Sequence, residues 1–185
     1  MAAFFLKNYV RLGVENRLKA KKIYTMVAFV MLIALYIVIF RFSAEDGEQS
    51  SDVSTRVTEA LLKGYYGLLG KSGEVTTELV LLLEGVVRKL AHFLEYMAMG
   101  FLSYSIVVTW RNISKKGTLA VTLQVFISAA LDEFHQYFIP GRCAALKDVF
   151  IDTAGGITGI LVIILFTKFF CKKRISQMES PNFSQ

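Results

Sequence analysis

Cysteine is scarce in this sequence of 185 residues, which contains only Cys143 and Cys171. The two residues stand at opposite ends of the last apolar run. If that run crosses a membrane, the two thiols face opposite compartments and cannot form a disulfide within one chain. The sequence therefore excludes the disulfide framework of a small secreted domain. We also expect no cleavable signal peptide, because the first apolar run starts near Ile23, continues too far and is followed by no small-residue cleavage site.

Charge is sparse as well. Charged residues make up 19% of the chain and hydrophobic residues 54%, a balance too apolar for an ordinary soluble domain. The formal net charge of +6 does not indicate a nucleic-acid partner, because the basic residues occur in short clusters beside apolar runs rather than along one soluble face. We therefore predict a small integral membrane protein whose partner is the lipid bilayer.

Four stretches are apolar over about the length that crosses the hydrocarbon core of a bilayer. The predicted spans are Ile23 to Phe40, about Leu90 to Trp110, Thr118 to Phe138 and Phe150 to Phe170. The second span continues a helix that begins near Thr76, and Pro140-Gly141 indicates a turn after the third. The predicted fold class is all-α, an integral membrane bundle of four transmembrane helices.

A further helix is predicted between the first and second spans, within Arg41 to Gly73. Apolar residues recur there at helical spacing with polar residues between them: Val53, Val57, Leu61, Tyr65 and Leu68. Such a pattern indicates an amphipathic helix that lies on the membrane or on the other helices. We expect this helical segment to be extracytoplasmic.

The basic residues near the helix ends predict the orientation. They cluster before the first span, in the turn from Arg111 to Gly117 and after the fourth span, whereas nearly all acidic residues fall on the other side. Both termini are therefore expected in the cytoplasm. The layout is a basic cytoplasmic segment over residues 1–22, a membrane domain over 23–170 and a cytoplasmic tail over 171–185, with disorder predicted from Ile175 onward.

Ionisable residues are costly in hydrocarbon and suggest a functional site by default. In this chain they gather at the outer ends of the second, third and fourth spans: Arg88, Lys89, His92, Glu95 and Tyr96; Asp132, Glu133, His135 and Gln136; and Asp148 and Asp152. Most share one stripe on each helix, while Glu133 falls to one side. Gly155 and Gly159 form a GxxxG pattern that allows a close helix contact. We expect the stripes to converge on one outward-facing cleft.

Three interpretations of these residues remain open. They form a charge-balanced network that joins the helices, or they bind a divalent metal ion, or they bind a phosphate. The metal interpretation uses pairs spaced three or four residues apart, namely His92 with Glu95, Asp132 with His135, and Asp148 with Asp152. In the phosphate interpretation Arg88, Lys89 and Arg142 hold the anion while His92 or His135 acts as general base or nucleophile.

Several blocks in order resemble the VanZ-like membrane protein family. They are Phe42-Ser43, the Ser-rich Gln49 to Ser54, Arg88 to Tyr96, Asp132 to Gln136, Pro140-Gly141-Arg142, Asp148-Val149, and Asp152-Thr153 with Gly155. The resemblance covers most of the chain. It implies a polytopic protein of the bacterial plasma membrane, with members linked to lowered susceptibility to teicoplanin-type glycopeptide antibiotics.

Together these observations predict a protein that acts on, or binds, an anionic lipid or a lipid-linked cell-wall precursor bearing a phosphate. The candidate catalytic residues are His92, Glu95, Asp132, Glu133 and His135, and the candidate substrate-binding residues are Arg88, Lys89, Tyr96, Gln136, Arg142, Asp148 and Asp152. The alternative is a non-enzymatic transporter or binder that uses the histidines and carboxylates to relay protons or hold a cation.

Overall fold

The computed structural model describes residues 2–71 and 75–179, with side chains over 14–71 and 75–169. Five helices form the described part of the chain: α1 (Ala2–Ser43), α2 (Gly47–Leu68), α3 (Thr77–Trp110), α4 (Lys115–Gln136) and α5 (Leu146–Glu179). Four stretches are long and apolar enough to cross a membrane, Val14–Ser43, Thr77–Trp110, Lys115–Gln136 and Leu146–Phe169. The predicted all-α membrane bundle is thereby confirmed.

Local sequence explains several of the helix ends. Asp46 begins α2, and its carboxylate accepts a hydrogen bond of 2.8 Å from the backbone N–H of Gln49. Thr76 and Ser114 cap α3 and α4 in the same way. After α4 the chain turns at Pro140-Gly141, where Gly141 has a φ of 73°, a left-handed conformation that favours glycine.

Two helices are longer than predicted. The first helix begins at Ala2 rather than near Ile23, because the basic segment before the span contains no proline and continues the helix. The last helix extends to Glu179, so the prediction of disorder was wrong for residues 175–179. Residues 180–185 lie outside the described part of the chain.

The tightest packing joins α3 and α5. A Cβ atom built on Gly155 would overlap the backbone of Phe93, and one on Gly159 would overlap the backbone of Met97. Gly100 of α3 meets the backbone of Gly156 in the same seam. The close approach predicted from the glycine spacing is thus present, and it fixes where the start of α5 lies relative to α3.

The amphipathic helix α2 packs on α3 through small polar residues. Ser50, Ser54 and Thr58 are buried, and Ser51 and Thr55 donate hydrogen bonds of 2.8 and 2.9 Å to the Glu84 carboxylate. The apolar residues that predicted this helix are exposed: Val53, Val57, Leu61, Tyr65 and Leu68. Of the two placements expected for the apolar face, contact with lipid is therefore the one that this packing allows.

The helix α1 packs against α3 and α4. The Tyr36 hydroxyl lies 2.9 Å from Ser128 Oγ and accepts a hydrogen bond of 3.0 Å from Gln124, and Trp110 Nε1 donates to Thr25 at 2.7 Å. Trp110 therefore marks the end of the bundle opposite to α2. Because about 20 residues cross the hydrocarbon core, a bilayer with one boundary at Trp110 would have its other boundary near His92.

Candidate functional site

A polar cavity of about 310 Å³ opens at the end of the bundle where α2 lies. Eight of the predicted site residues line it: Arg88, Lys89, His92, Glu133, Gln136, Arg142, Asp148 and Asp152. They come from α3, α4, the α4–α5 turn and α5. Side chains separated by up to 64 positions in sequence, from Arg88 to Asp152, therefore meet in one place.

An apolar groove of about 190 Å³ adjoins this cavity, between α2 and α3. The polar cavity and the apolar groove share Arg88, His92 and Arg142, and Glu95 joins them on the groove side. The rest of the groove is mainly apolar, with Phe42, Val53, Val57, Val87 and Ala91 in its lining. The charged surface of the polar cavity is thus continuous with the apolar surface of the groove.

His135 does not reach the polar cavity. Its ring stacks on Phe40 of α1, with ring centroids 4.9 Å apart, and it lines a separate cavity together with Tyr36, Tyr96 and Asp132. The prediction that the histidine shares one cleft with the other polar residues was wrong. The reason is that α4 contacts α1 on one side and α5 on the other, so residues of one stripe face different neighbours.

Glu133 also differs from its prediction, but it lies in the polar cavity where His135 does not. It was expected to fall to one side, but its side chain is buried and lines the polar cavity. Its Oε2 accepts a hydrogen bond of 2.8 Å from the backbone N–H of Ala145 in the turn before α5. The carboxylate therefore also holds that turn against α4.

Three side chains from three helices form the most compact group. One ligand atom each from His92, Asp132 and Asp152 lies within 4.8 Å of the others. Asp132 accepts a hydrogen bond of 3.0 Å from the amide of Gln136, which also donates to Ser43 at 2.9 Å. Asp152 is 3% exposed, and no hydrogen bond from the described residues reaches its carboxylate.

The predicted metal pairs are divided by this arrangement. Glu95 lies behind His92, with its Oε2 3.6 Å from the imidazole Nδ1. Asp148 instead binds the ammonium of Lys89 at 2.5 Å. His92 Nδ1 and the Tyr96 hydroxyl are buried atoms without a hydrogen-bond partner among the described residues. His92, Asp132 and Asp152 therefore belong to the compact group. Their predicted partners Glu95, His135 and Asp148 do not.

Arg142 joins the α4–α5 turn to the end of α1 and the connection that follows it. Its guanidinium donates to the carbonyl oxygens of Phe42 at 2.5 Å and Glu45 at 3.0 Å, and no carboxylate of the described residues forms an ion pair with it. Burial lowers the pKa of Arg142, and the positive charge of Arg88 lowers it further. The acidic residues Asp132, Glu45 and Glu133 act in the opposite direction. A guanidinium that contacts only carbonyl oxygens among the described residues is suited to bind a further anion.

Arg88 is held by the polar face of α2. It donates two hydrogen bonds of 3.3 and 3.2 Å to Ser54 Oγ, and it lies 3.5 Å from the Glu84 carboxylate. Ser43, Ser54 and Glu84 were not among the site residues predicted from the sequence. The Ser-rich stretch and Phe42-Ser43 were nevertheless a signal, since both belong to the family resemblance.

The family model described as VanZ/LLP1 matches residues 28–167, which include every residue that lines the two cavities. No curated protein and no solved structure matches the chain.

Proposed function

The chain belongs to the VanZ/LLP1 family, and we propose that it binds, or acts on, an anionic lipid or lipid-linked cell-wall precursor at the outer end of its bundle. The observation that carries this proposal is that the polar cavity and the apolar groove adjoin and share Arg88 and Arg142. A lipid phosphate has the same two parts, an anionic headgroup and a hydrocarbon chain.

The headgroup part of the proposal depends on the arginines. A guanidinium group donates several hydrogen bonds from a rigid plane and suits the oxygens of a phosphate. Arg142 carries its charge next to two neutral carbonyl oxygens, and Arg88 is held chiefly by a hydroxyl group. Arg142 thus retains positive charge that a phosphate would neutralise, whereas Arg88 also has the Glu84 carboxylate 3.5 Å away.

The part of the proposal that concerns the hydrocarbon chain of the lipid depends on the apolar groove. Val53 and Val57 are 42% and 45% exposed on the side of α2 that lines the groove, and Val87 continues the apolar surface on α3. Because the bundle crosses the bilayer, such a surface at the membrane boundary contacts acyl chains. A lipid with its phosphate between Arg88 and Arg142 would extend its hydrocarbon chain along these residues.

The depth of the ionisable residues favours binding at one face over transport across the membrane. No Asp, Glu, Lys, Arg or His occurs in residues 23–40, 97–109, 118–131 or 153–167, which form the remainder of the four spans. A proton or cation relay through the bilayer needs such groups along its path. The transporter alternative therefore lacks a path, whereas a site at one end of the bundle needs none.

We propose further that the protein resides in the bacterial plasma membrane with both termini in the cytoplasm, and that lipid binding changes susceptibility to teicoplanin-type glycopeptides. Occupancy of a cell-wall precursor at the outer leaflet would alter what these antibiotics meet there. Expression of the wild-type chain in a susceptible host should raise the teicoplanin concentration needed to stop growth, and expression of Arg142→Gln should not.

Native mass spectrometry of the purified full chain tests the lipid proposal directly. Wild type is expected to retain phosphatidylglycerol or a polyprenyl phosphate in preference to phosphatidylcholine. Arg142→Gln should reduce that retention about tenfold, since it removes a charge-assisted hydrogen bond. Lys147→Gln removes the same charge from an exposed position in the first turn of α5 and serves as the control. Equal retention of anionic and zwitterionic lipids by wild type would refute the proposal.

A further inference from the structure

We propose that His92, Asp132 and Asp152 bind a divalent first-row transition-metal ion of the Zn²⁺ or Mn²⁺ type. The inference goes beyond lipid binding and depends on different residues from the arginines that would hold a headgroup. Each proposed ligand comes from a different helix, α3, α4 and α5. A bound ion would therefore join the three helices as well as take part in chemistry.

The geometry is close to that of a metal site. The three donor atoms lie within 4.8 Å of one another. Metal–ligand bonds of about 2.1 Å place neighbouring ligand atoms about 3.4 Å apart in a tetrahedral site. Small side-chain rotations close this difference, since the backbones of α3 and α5 are already in direct contact at Gly155 and Phe93.

The charges also favour a cation. Asp132 and Asp152 are 8% and 3% exposed, and neither has an ion-pair partner in the described part of the chain. Among the described residues the amide of Gln136 is the one hydrogen-bond donor to Asp132, and the nearby ammonium of Lys89 is already bound by Asp148. Two buried carboxylates without a compensating charge are strongly destabilising. A divalent ion would compensate both.

The surrounding groups fit a metal-bound histidine. If the imidazole binds the ion through Nε2, its Nδ1–H points to Glu95 at 3.6 Å, the carboxylate–histidine arrangement that orients metal ligands. The Tyr96 hydroxyl is fully buried and has no partner among the described residues, and it lines a cavity together with Asp132. A ligand carboxylate or a water molecule on the ion would give this hydroxyl a partner.

The donor set indicates the class of ion. One imidazole nitrogen and two carboxylate oxygens suit Zn²⁺, Mn²⁺ or Fe²⁺ better than an all-oxygen ion such as Ca²⁺. Three protein ligands leave at least one coordination position open, as in catalytic rather than structural sites. The His92 and Asp152 side chains line the polar cavity, so the open position is accessible from there.

Metal analysis of the purified full chain, without a polyhistidine tag, tests the proposal. After treatment with a chelator and dialysis against Zn²⁺ or Mn²⁺, wild type is expected to hold one ion per chain. Asp152→Asn and His92→Gln should weaken binding at least tenfold. The matched controls are His135→Gln and Asp52→Asn, an exposed carboxylate on α2 that lines neither cavity, and both should change binding less than twofold. Equal binding by all variants, or no bound ion in wild type, would overturn the proposal.

A second measurement does not require the ligand variants to fold. The chain contains two histidines, so His135→Gln retains only His92. Pulsed electron paramagnetic resonance of Mn²⁺ bound to His135→Gln should show coupling to one imidazole nitrogen. Loss of that coupling would contradict the assignment of His92. Both measurements use detergent-purified protein without added lipid, so failure of the metal site and failure of anionic-lipid retention are recorded separately.

Discussion

Gly155 of α5 lies directly against the backbone of Phe93 in α3, with no room for a side chain between them. His92 directly precedes Phe93, and Asp152 lies about one turn before Gly155. This contact therefore sets the distance between the imidazole and the carboxylate. The glycine seam and the candidate site have the same structural origin, because a wider helix separation would remove Asp152 from His92.

The close contact between α3 and α5 predicts that a methyl group added to a glycine in it lowers the stability of the protein. Gly159→Ala should lower the free energy of unfolding by about 1–3 kcal/mol, because its Cβ would overlap the backbone of Met97. Gly64→Ala is the control, since a Cβ there meets nothing within 4 Å. Thermal denaturation in detergent should show a lower midpoint for the first variant and an equal or higher one for the second. Equal midpoints in both variants would refute the role of the seam.

Arg142 is expected to hold the α1–α2 connection in place. Arg142→Lys keeps the charge, but an ammonium lacks the planar fork that reaches the carbonyls of Phe42 and Glu45 together. Loss of one such bond, worth about 1.5–3 kcal/mol, should speed amide hydrogen exchange over residues 43–50 by about tenfold or more. Arg111→Lys, at the other end of the bundle, should leave this segment unchanged. Unaltered exchange in Arg142→Lys would contradict the role of the guanidinium.

Two substitutions of Glu133 separate the contribution of its hydrogen bond to Ala145 from the contribution of its charge. Glu133→Gln keeps an oxygen that can accept from the Ala145 N–H, whereas Glu133→Ala leaves that N–H without its partner. The alanine variant should lose about 1–3 kcal/mol of stability, and the glutamine variant should lose less. Thermal denaturation of the two purified variants measures the difference. If glutamine is as destabilising as alanine, the carboxylate charge and not the hydrogen bond is what matters.

The orientation predicts which cysteine is accessible from outside the cell. Cys143 is exposed in the α4–α5 turn, and the Cys171 side chain lies outside the described part of the structure. A membrane-impermeant maleimide should label Cys143 in intact cells and leave Cys171 unlabelled until the membrane is opened. The Cys143→Ser and Cys171→Ser variants assign the signal. Labelling of Cys171 alone in intact cells would invert the orientation and place the site in the cytoplasm.

The spans and the location of the polar cavity followed from the sequence because they depend on local patterns. Uninterrupted apolar runs predicted four membrane helices, and the ionisable residues at their ends predicted where polar groups meet. The partners of individual side chains did not follow. The rotation of α4 about its axis determines that Glu133 faces the polar cavity and His135 faces Phe40, and this rotation depends on packing with α1 and α5 together.

In the amphipathic helix α2, the face that packs also differs from the face that the sequence pattern indicated. Its apolar residues predicted the helix correctly, but the face that packs on α3 is the small polar one formed by Ser50, Ser54 and Thr58. In a membrane protein, lipid competes for apolar side chains, so helix contacts are made by small and polar residues. The rule that apolar residues mark the packed face therefore does not apply to α2.

The central claim is that an anionic lipid occupies the polar cavity and the apolar groove together. Photo-cross-linking with a phosphatidylglycerol that carries a diazirine on its acyl chain, followed by peptide mapping, tests it most directly. We predict labelling at Val53, Val57 and Val87 that excess phosphatidylglycerol suppresses and phosphatidylcholine does not, and that Arg142→Gln abolishes. Labelling spread evenly over the lipid-facing helices, with both lipids competing equally, would contradict the claim.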